Sequence, residues 1–270
     1  MFKRKVSLTQ IKKNQRKEVL DVVLIEKPVD IIIDSEPLVN IICLPKDLKE
    51  LSVGFLYSIG IIDNFKEIKS VSIDELESKV NIQLKDPSTF DLDSLEINPV
   101  SRVVETTCGI SSPWRNFIKK TLDSAKEHLK ATTKVRIQKD AIFKSIIAMQ
   151  KNTVLFRETG GCHGAAVFDL EGNMMSSKED IGRHNAIDKV IGDMLIQEKS
   201  FKEVFLTSTG RLTGDSVLKA IRAKVPILAS VSAAIESGIR LAYAYGITLV
   251  GFVRGSRMNI YSHPERISIH

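Results

Sequence analysis

The sequence predicts an α/β protein in two parts, a smaller strand-rich N-terminal part and a C-terminal α/β part with a mostly parallel sheet. Three observations predict it. Apolar, β-branched runs bounded by turn signals fill residues 19–44 and recur at 67–73 and 79–84. From about residue 154, short apolar runs alternate with amphipathic stretches of about ten residues, the pattern of strand–helix–strand crossovers. A soft boundary falls near 130–138, which divides the chain into a basic N-terminal segment 1–18, a strand-rich part 19–132 and an α/β domain 133–270.

The elements follow in order. Lys3, Arg4, Lys5, Lys12, Lys13, Arg16 and Lys17 make the first segment strongly basic, and it reads either as a solvated, disordered tail or as a recognition element. Val19 to Leu44 carries turn signals at Lys27-Pro28 and Asp34-Ser35-Glu36-Pro37, hence two or three strands. Asp47 is placed to cap a helix with Leu48, Leu51, Phe55 and Ile59 on one stripe, stopped by Gly60. Residues 86–99 are linker-like, and Arg102-Val103-Val104 is a strand candidate leading into a loop around Cys108. Pro113 closes that loop before a helix from Trp114 to Lys130. A further helical pattern runs through Asp140, Ile142, Ile146 and Met149.

Strands are expected at Val154–Phe156, Ala165–Asp169, Met174–Ser177, Glu203–Thr207, Pro226–Ser230 and Thr248–Val253. Helices are expected at Arg183–Gln197, Thr213–Ala223 and Ala233–Tyr245. In such sheets ligands bind beyond the C-terminal strand ends. Ser208–Arg211, Ser230–Ser232 and Arg254–Arg257 all follow expected strands.

Bulk properties narrow the classes. A chain of 270 residues can bury a large core, and its 43% hydrophobic and 27% charged residues are those of an ordinary globular protein rather than a disordered or membrane one. No apolar run is long enough for a bilayer span, and no h-region follows the basic N-terminus, so the cytoplasm is expected. Three cysteines fit a reducing compartment rather than a disulfide scaffold. A net charge of +6 favours anionic partners, but no dense basic block or nucleic-acid-binding signature is present.

Two cysteines stand in chemically suggestive surroundings. Cys43 lies in an apolar run and reads as a buried strand residue. Cys108, among Thr106, Thr107, Gly109, Ser111 and Ser112 with Arg115 and Lys119 nearby, reads as a working thiol or as an incidental loop cysteine. Cys162-His163 follows two glycines. Zinc deaminase chemistry needs H-x-E and C-x-x-C signatures; here His163 is followed by Gly164 and Ala165, so no glutamate occupies the catalytic position. No C-x-x-C occurs either, so no metal site is expected and His163 is read as lining a ligand pocket. Arg183-His184-Asn185 opens a helix, where free N–H groups attract anions, although a capped, solvent-facing first turn is the alternative. Ser208-Thr209-Gly210-Arg211 and Phe252-Val253-Arg254-Gly255-Ser256-Arg257 resemble phosphate cradles without being a Walker motif. Three such segments in one half of the chain point to a nucleotide-type anion pocket.

Taken together, these blocks resemble the formate dehydrogenase accessory sulfurtransferase family (FdhD). The resemblance rests on Asp34-Ser35-Glu36-Pro37-Leu38, the run Glu50 to Ile62, Thr159-Gly160-Gly161-Cys162-His163, the run Glu179 to Lys189, Ser208 to Arg211 and Leu249 to Arg257. It implies a cytidine-deaminase-like C-terminal fold without the deaminase zinc set, a homodimer, and sulfur transfer. Sulfur would pass from a cysteine desulfurase to a molybdenum or tungsten bis-guanine-dinucleotide pterin cofactor, thereby activating formate dehydrogenase. Cys108 matches the family's persulfide-carrying cysteine and Phe252 to Arg257 its cofactor-binding loop, so a GDP-like nucleotide is expected to occupy the same place.

One departure stands out: the family loop is commonly Cys-Gly-x-Cys, whereas here it is Cys108-Gly109-Ile110-Ser111. One thiol suffices to carry a persulfide, but a two-cysteine relay loses its partner. The alternative implied by that loss is a cofactor-binding chaperone that transfers no sulfur. A metal-dependent hydrolase of the deaminase fold is a third class, and the sequence offers it no suitable H-x-E glutamate beside His163.

Overall fold

The computed structural model describes residues 2–89, 103–104 and 135–269. The chain opens with a hairpin, β1 (Lys3–Lys12) and β2 (Gln15–Leu24), paired antiparallel along its whole length. The basic segment expected as a tail is therefore ordered as a strand ladder. Every residue of β1 faces a partner in β2, which a search for apolar alternation misses because charged side chains occupy both faces.

A five-stranded sheet follows, built from β3 (Lys27–Ile33), β4 (Glu36–Cys43), β5 (Ile68–Asp74), β6 (Lys79–Leu84) and β7 (Val103–Val104) in the order β5-β6-β3-β4-β7. Between β4 and β5 the chain crosses the sheet as α1 (Leu48–Ile59). Asp47 precedes α1 in a left-handed conformation (φ 54) without a side-chain cap; its carboxylate instead accepts from Lys178 Nζ at 3.4 Å. Gly60, at φ 90, ends the helix as expected, since glycine adopts this conformation without a Cβ penalty.

The C-terminal part begins with β8 (Ile137–Gln138), α2 (Lys139–Asn152) and α3 (Val154–Thr159). The segment expected as a strand at 154–156 is helical. The Glu179 carboxylate accepts from the backbone N–H groups of Leu155 and Phe156 at 3.1 and 2.9 Å, which caps the helix start from a distant point in the sequence. Next come β9 (His163–Asp169), β10 (Met174–Asp180), α4 (Arg183–Ile196), β11 (Val204–Ser208), α5 (Gly214–Arg222), β12 (Ile227–Ser230), α6 (Glu236–Tyr245), β13 (Thr248–Arg254), β14 (Arg257–Ser262) and β15 (Ile267–Ser268).

Six of these strands form a sheet in the order β10-β9-β11-β12-β13-β14. Only β11–β12 and β12–β13 are parallel; β10–β9, β9–β11 and β13–β14 are antiparallel. The sheet is mixed rather than mostly parallel, because a hairpin flanks the crossover strands on either side. The strand β14 has no counterpart in the sequence reading, which took its Arg257 as part of a loop.

The mixed sheet is buried on both faces, and its residues alternate accordingly. Ala166, Phe168 and Phe205 pack toward Ile142, Ile146 and Met149 of α2, with Phe168 and Phe205 stacked 5.5 Å apart. Ala165, Val167 and Leu206 pack toward Ile187, Val190 and Ile191 of α4 and Val217 and Ile221 of α5. That second cluster continues without a break through Leu51, Phe55 and Ile59 of α1 into Val29, Ile31 and Ile41 of the five-stranded sheet. The two parts read from the sequence thus share one core.

Their junction is the crossing of α1 and α4. A Cβ on Gly54 would lie 1.8 Å from the Asp188 carbonyl oxygen, and one on Gly192 would lie 1.9 Å from that of Glu50. Glycine is required at both places because the backbones themselves touch.

Candidate functional site

Because β9 runs against β11, the start of β9 and the ends of β11, β12 and β13 share one edge of the mixed sheet. The loops there are tied together residue by residue. Thr209 Oγ1 lies 3.1 Å from His163 Nδ1 and accepts from the Gly164 N–H at 3.0 Å. Ser232 Oγ donates to the Thr209 carbonyl at 2.9 Å, and the Phe252 N–H donates to the Ser232 carbonyl at 2.9 Å. Ser230 Oγ donates to the Gly210 carbonyl at 2.7 Å, while Ser208 Oγ accepts from the Gly210 N–H at 3.0 Å. The segments around His163, Ser208–Arg211 and Phe252–Arg254 form a continuous hydrogen-bonded rim.

The α4 start joins the same rim. A Cβ on Gly210 would sit 2.7 Å from the Arg183 Cβ, so this loop rests directly on Arg183. His184 Nε2 lies 3.3 Å from Thr213 Oγ1, at the entrance to α5. Burial, reinforced by Arg183 and Lys219, pushes the His184 imidazole down to about 2, and burial beside Arg183 and Arg211 lowers that of His163. Both rings are therefore neutral near pH 7, and the local field is set by arginine.

The rim presents cations outward. Arg211, Arg254 and Arg257 are exposed, with Gly255 and Ser256 in the turn between the last two. Arg254 and Arg257 face each other in the register of β13 and β14. Arg254 Nε donates to the Val231 carbonyl at 2.9 Å, and its guanidinium stacks 5.4 Å from the Phe252 ring centroid. Phe252 adopts φ 51, a left-handed conformation that a bulky residue tolerates only when its surroundings enforce it. Gly255, also in this region at φ 57, lets the chain turn back into β14.

A model of the FdhD/NarQ family matches residues 24–268. The chain belongs to the FdhD/NarQ family. Over 250 residues it is 34% identical to the sulfur carrier protein FdhD of Bacillus subtilis (strain 168), covering 93% of this chain and 92% of the relative. It is likewise 34% identical over 267 residues to the sulfur carrier protein FdhD of Sulfolobus acidocaldarius, covering 98% and 99%. Its fold is similar to the crystal structure of a proposed formate dehydrogenase accessory protein from Desulfotalea psychrophila. There the TM-score is 0.75 and the identity 27%, over 99% of this chain and 100% of that one.

Not every residue picked out as a site candidate in this family member faces the rim's open side. Val253 is 1% exposed and packs in the core, and Ser208 spends its hydroxyl on Gly210. Asn185 is buried, donating to the Ile42 carbonyl and to Asp180, both at 3.0 Å. The first turn of α4 is therefore far from a solvent-facing cap. Asp188 and Lys189, one turn further along α4, are buried in two ion pairs at 2.6 Å, Asp188 with Lys219 and Lys189 with Asp180.

Cys162 is buried beside Glu179, its Sγ donating to Oε1 at 3.5 Å, and burial followed by that carboxylate pushes its thiol up to about 12. Cys43, in β4, is likewise raised to about 12 by burial and Asp180. Cys108 and its loop, and the helix expected at Trp114–Lys130, lie outside the described residues. The sequence reading had Thr209 within its loop motif but took Thr213 only as a helix start and missed its contact with His184; a hydroxyl side chain in the loop after a strand end was its signal. Among the described residues, no helix is long and apolar enough to cross a membrane.

Proposed function

We propose that this protein is a sulfur carrier for formate dehydrogenase maturation. It takes sulfur from a cysteine desulfurase as a persulfide on Cys108 and delivers it to a molybdenum or tungsten bis-guanine-dinucleotide pterin cofactor. The observation that carries this reading is the arginine-bearing rim in a chain of this family: Arg183, His163 and the Ser208–Arg211 and Phe252–Arg257 segments are joined at one sheet edge. Exposed Arg211, Arg254 and Arg257 suit the substrate's phosphates, and the missing Cβ at Gly210 lets that loop seat against Arg183. Guanidinium and phosphate pair in two parallel hydrogen bonds, so these side chains would orient the nucleotide ends. A GDP moiety would occupy the same rim. The protein is proposed to act as a cytoplasmic homodimer, with formate dehydrogenase as the enzyme served.

In the loading step the Cys108 thiolate attacks the terminal sulfur of the desulfurase persulfide. A new S–S bond forms on Cys108 as the old one breaks, and the desulfurase cysteine leaves as thiolate. The transferred sulfur keeps its oxidation state, so no outside oxidant is needed. Ser111 in place of a second loop cysteine leaves this step intact, since no resolving thiol takes part.

Intact-protein mass spectrometry after incubation with a cysteine desulfurase and cysteine tests the assignment. Wild type is expected to gain the mass of one sulfur atom, lost on reduction, and Cys108→Ala to gain nothing while still binding GDP. Binding of GDP without any sulfur gain in wild type would favour a cofactor-carrying chaperone instead.

A further inference from the structure

We infer that Asp180 is the positioning residue of the anion-binding rim, holding the first turn of α4, and through it Arg183, against the Ser208–Arg211 loop. This rests on the rim's proposed role in nucleotide binding. Asp180 ends β10 and is completely buried. Its two oxygens receive four donors. Oδ1 accepts from the Gly182 N–H at 2.8 Å and from Asn185 Nδ2 at 3.0 Å. Oδ2 accepts from the Leu44 N–H at 3.1 Å and pairs with Lys189 Nζ at 2.6 Å.

Three of these donors belong to the start of α4 and the fourth to the other sheet. Gly182 is the residue before α4, Asn185 and Lys189 lie on its first two turns, and Leu44 follows β4 of the other sheet. Lys189 also donates to the Leu44 and Glu179 carbonyls, at 3.2 and 3.3 Å, and Asn185 to Ile42, so the second partners are spoken for as well. The carboxylate is thus a three-way joint between β10, α4 and the end of β4.

Arg183 sits inside that joint, between Gly182 and Asn185. Because Gly210 rests on the Arg183 Cβ, a shift in the α4 start moves the loop and the arginine together. A buried, fully satisfied carboxylate orients the groups that it binds, and removing one of its partners alone leaves a buried charge uncompensated. The informative variants therefore change both members of the ion pair.

Asp180→Asn with Lys189→Met keeps an oxygen for Gly182 and Asn185 and removes both charges. Asp180→Leu with Lys189→Met removes the acceptor as well. The readout is GDP affinity by calorimetry on proteins shown to be folded by circular dichroism, with melting temperature recorded separately. The Leu/Met pair is expected to bind GDP at least about tenfold more weakly, the loss of one charge-assisted contact, and the Asn/Met pair to stay near wild type. Should the Leu/Met protein not fold, Asn185→Ala cuts the same link with the ion pair kept and is expected to weaken GDP binding likewise. Folded Leu/Met or Asn185→Ala proteins that bind GDP as wild type does would overturn the positioning role. Wild type that binds no GDP would overturn the nucleotide rim and this role with it.

Discussion

His184 shows how a residue's chemistry changes once its neighbours are known. As a histidine at a helix start it belongs beside an anion, but here it is 6% exposed, near Arg183 and Lys219 and against Thr213. The folded protein keeps it neutral down to about pH 2, whereas the unfolded chain takes up a proton near pH 6.5. Its folded value is depressed, so its full contribution is present above pH 6.5 and is lost as pH falls below it. His163 acts in the same direction. Urea unfolding is expected to show a loss of about 2 kcal/mol between pH 6.5 and pH 5 from His184, a loss absent in His184→Gln. At this scale the sequence yields the cluster Arg183-His184-Asn185 and its place at a helix start. It does not yield the burial, because the partners of Asn185 and Lys189 are Ile42 and Leu44, on the other sheet.

Among the elements, α1 was readable from the stripe Leu48, Leu51, Phe55, Ile59 and from Gly60. The stripe marks only one side, yet Ser52, Val53, Gly54 and Ser58 are buried too, because α4 covers the opposite face. Ser58 Oγ donates to Asp188 at 2.6 Å there, and Gly54 meets Gly192 backbone to backbone. A methyl group has nowhere to go at either position, since the nearest atoms are main-chain carbonyls. Gly54→Ala and Gly192→Ala are each expected to destabilise by on the order of 3 kcal/mol, read as a lower urea midpoint at unchanged slope. Substitution of Gly160, whose Cβ would meet nothing within 4 Å, isolates the cost of its positive φ alone. By contrast α3 escaped the sequence reading, and the mixed sheet was taken for a mostly parallel one. In both cases the decisive partner, Glu179 for α3 and the antiparallel β9 for the sheet, lies outside the local window that periodicity samples.

At the scale of the whole molecule, the N-terminal hairpin stands apart from the shared core. The family match starts at residue 24, where the hairpin ends. Its base is fixed: Phe2 and Leu24 pack with Leu44, Leu155 and Cys162, the Ile25 N–H donates to the Phe2 carbonyl, and Lys3 pairs with Glu158. Its outer half is not covered, with Ile11 75% exposed. Replacing residues 8–19 by an Asn-Gly turn that joins Ser7 to Leu20, partners in the native register, is expected to leave the melting temperature unchanged. Deleting residues 1–24 is expected to lower it, because the cluster under the base loses Phe2 and Leu24; scanning calorimetry of the two truncations checks both.

Two of the three thiols, Cys43 and Cys162, are sealed in that same region between the sheets, protonated and out of reach. On the proposed chemistry this sets the stoichiometry of the cargo. Each protomer has a single berth, so it leaves a desulfurase loaded or empty with no half-filled state. A preparation's sulfane content then counts its charged molecules directly, one atom for each.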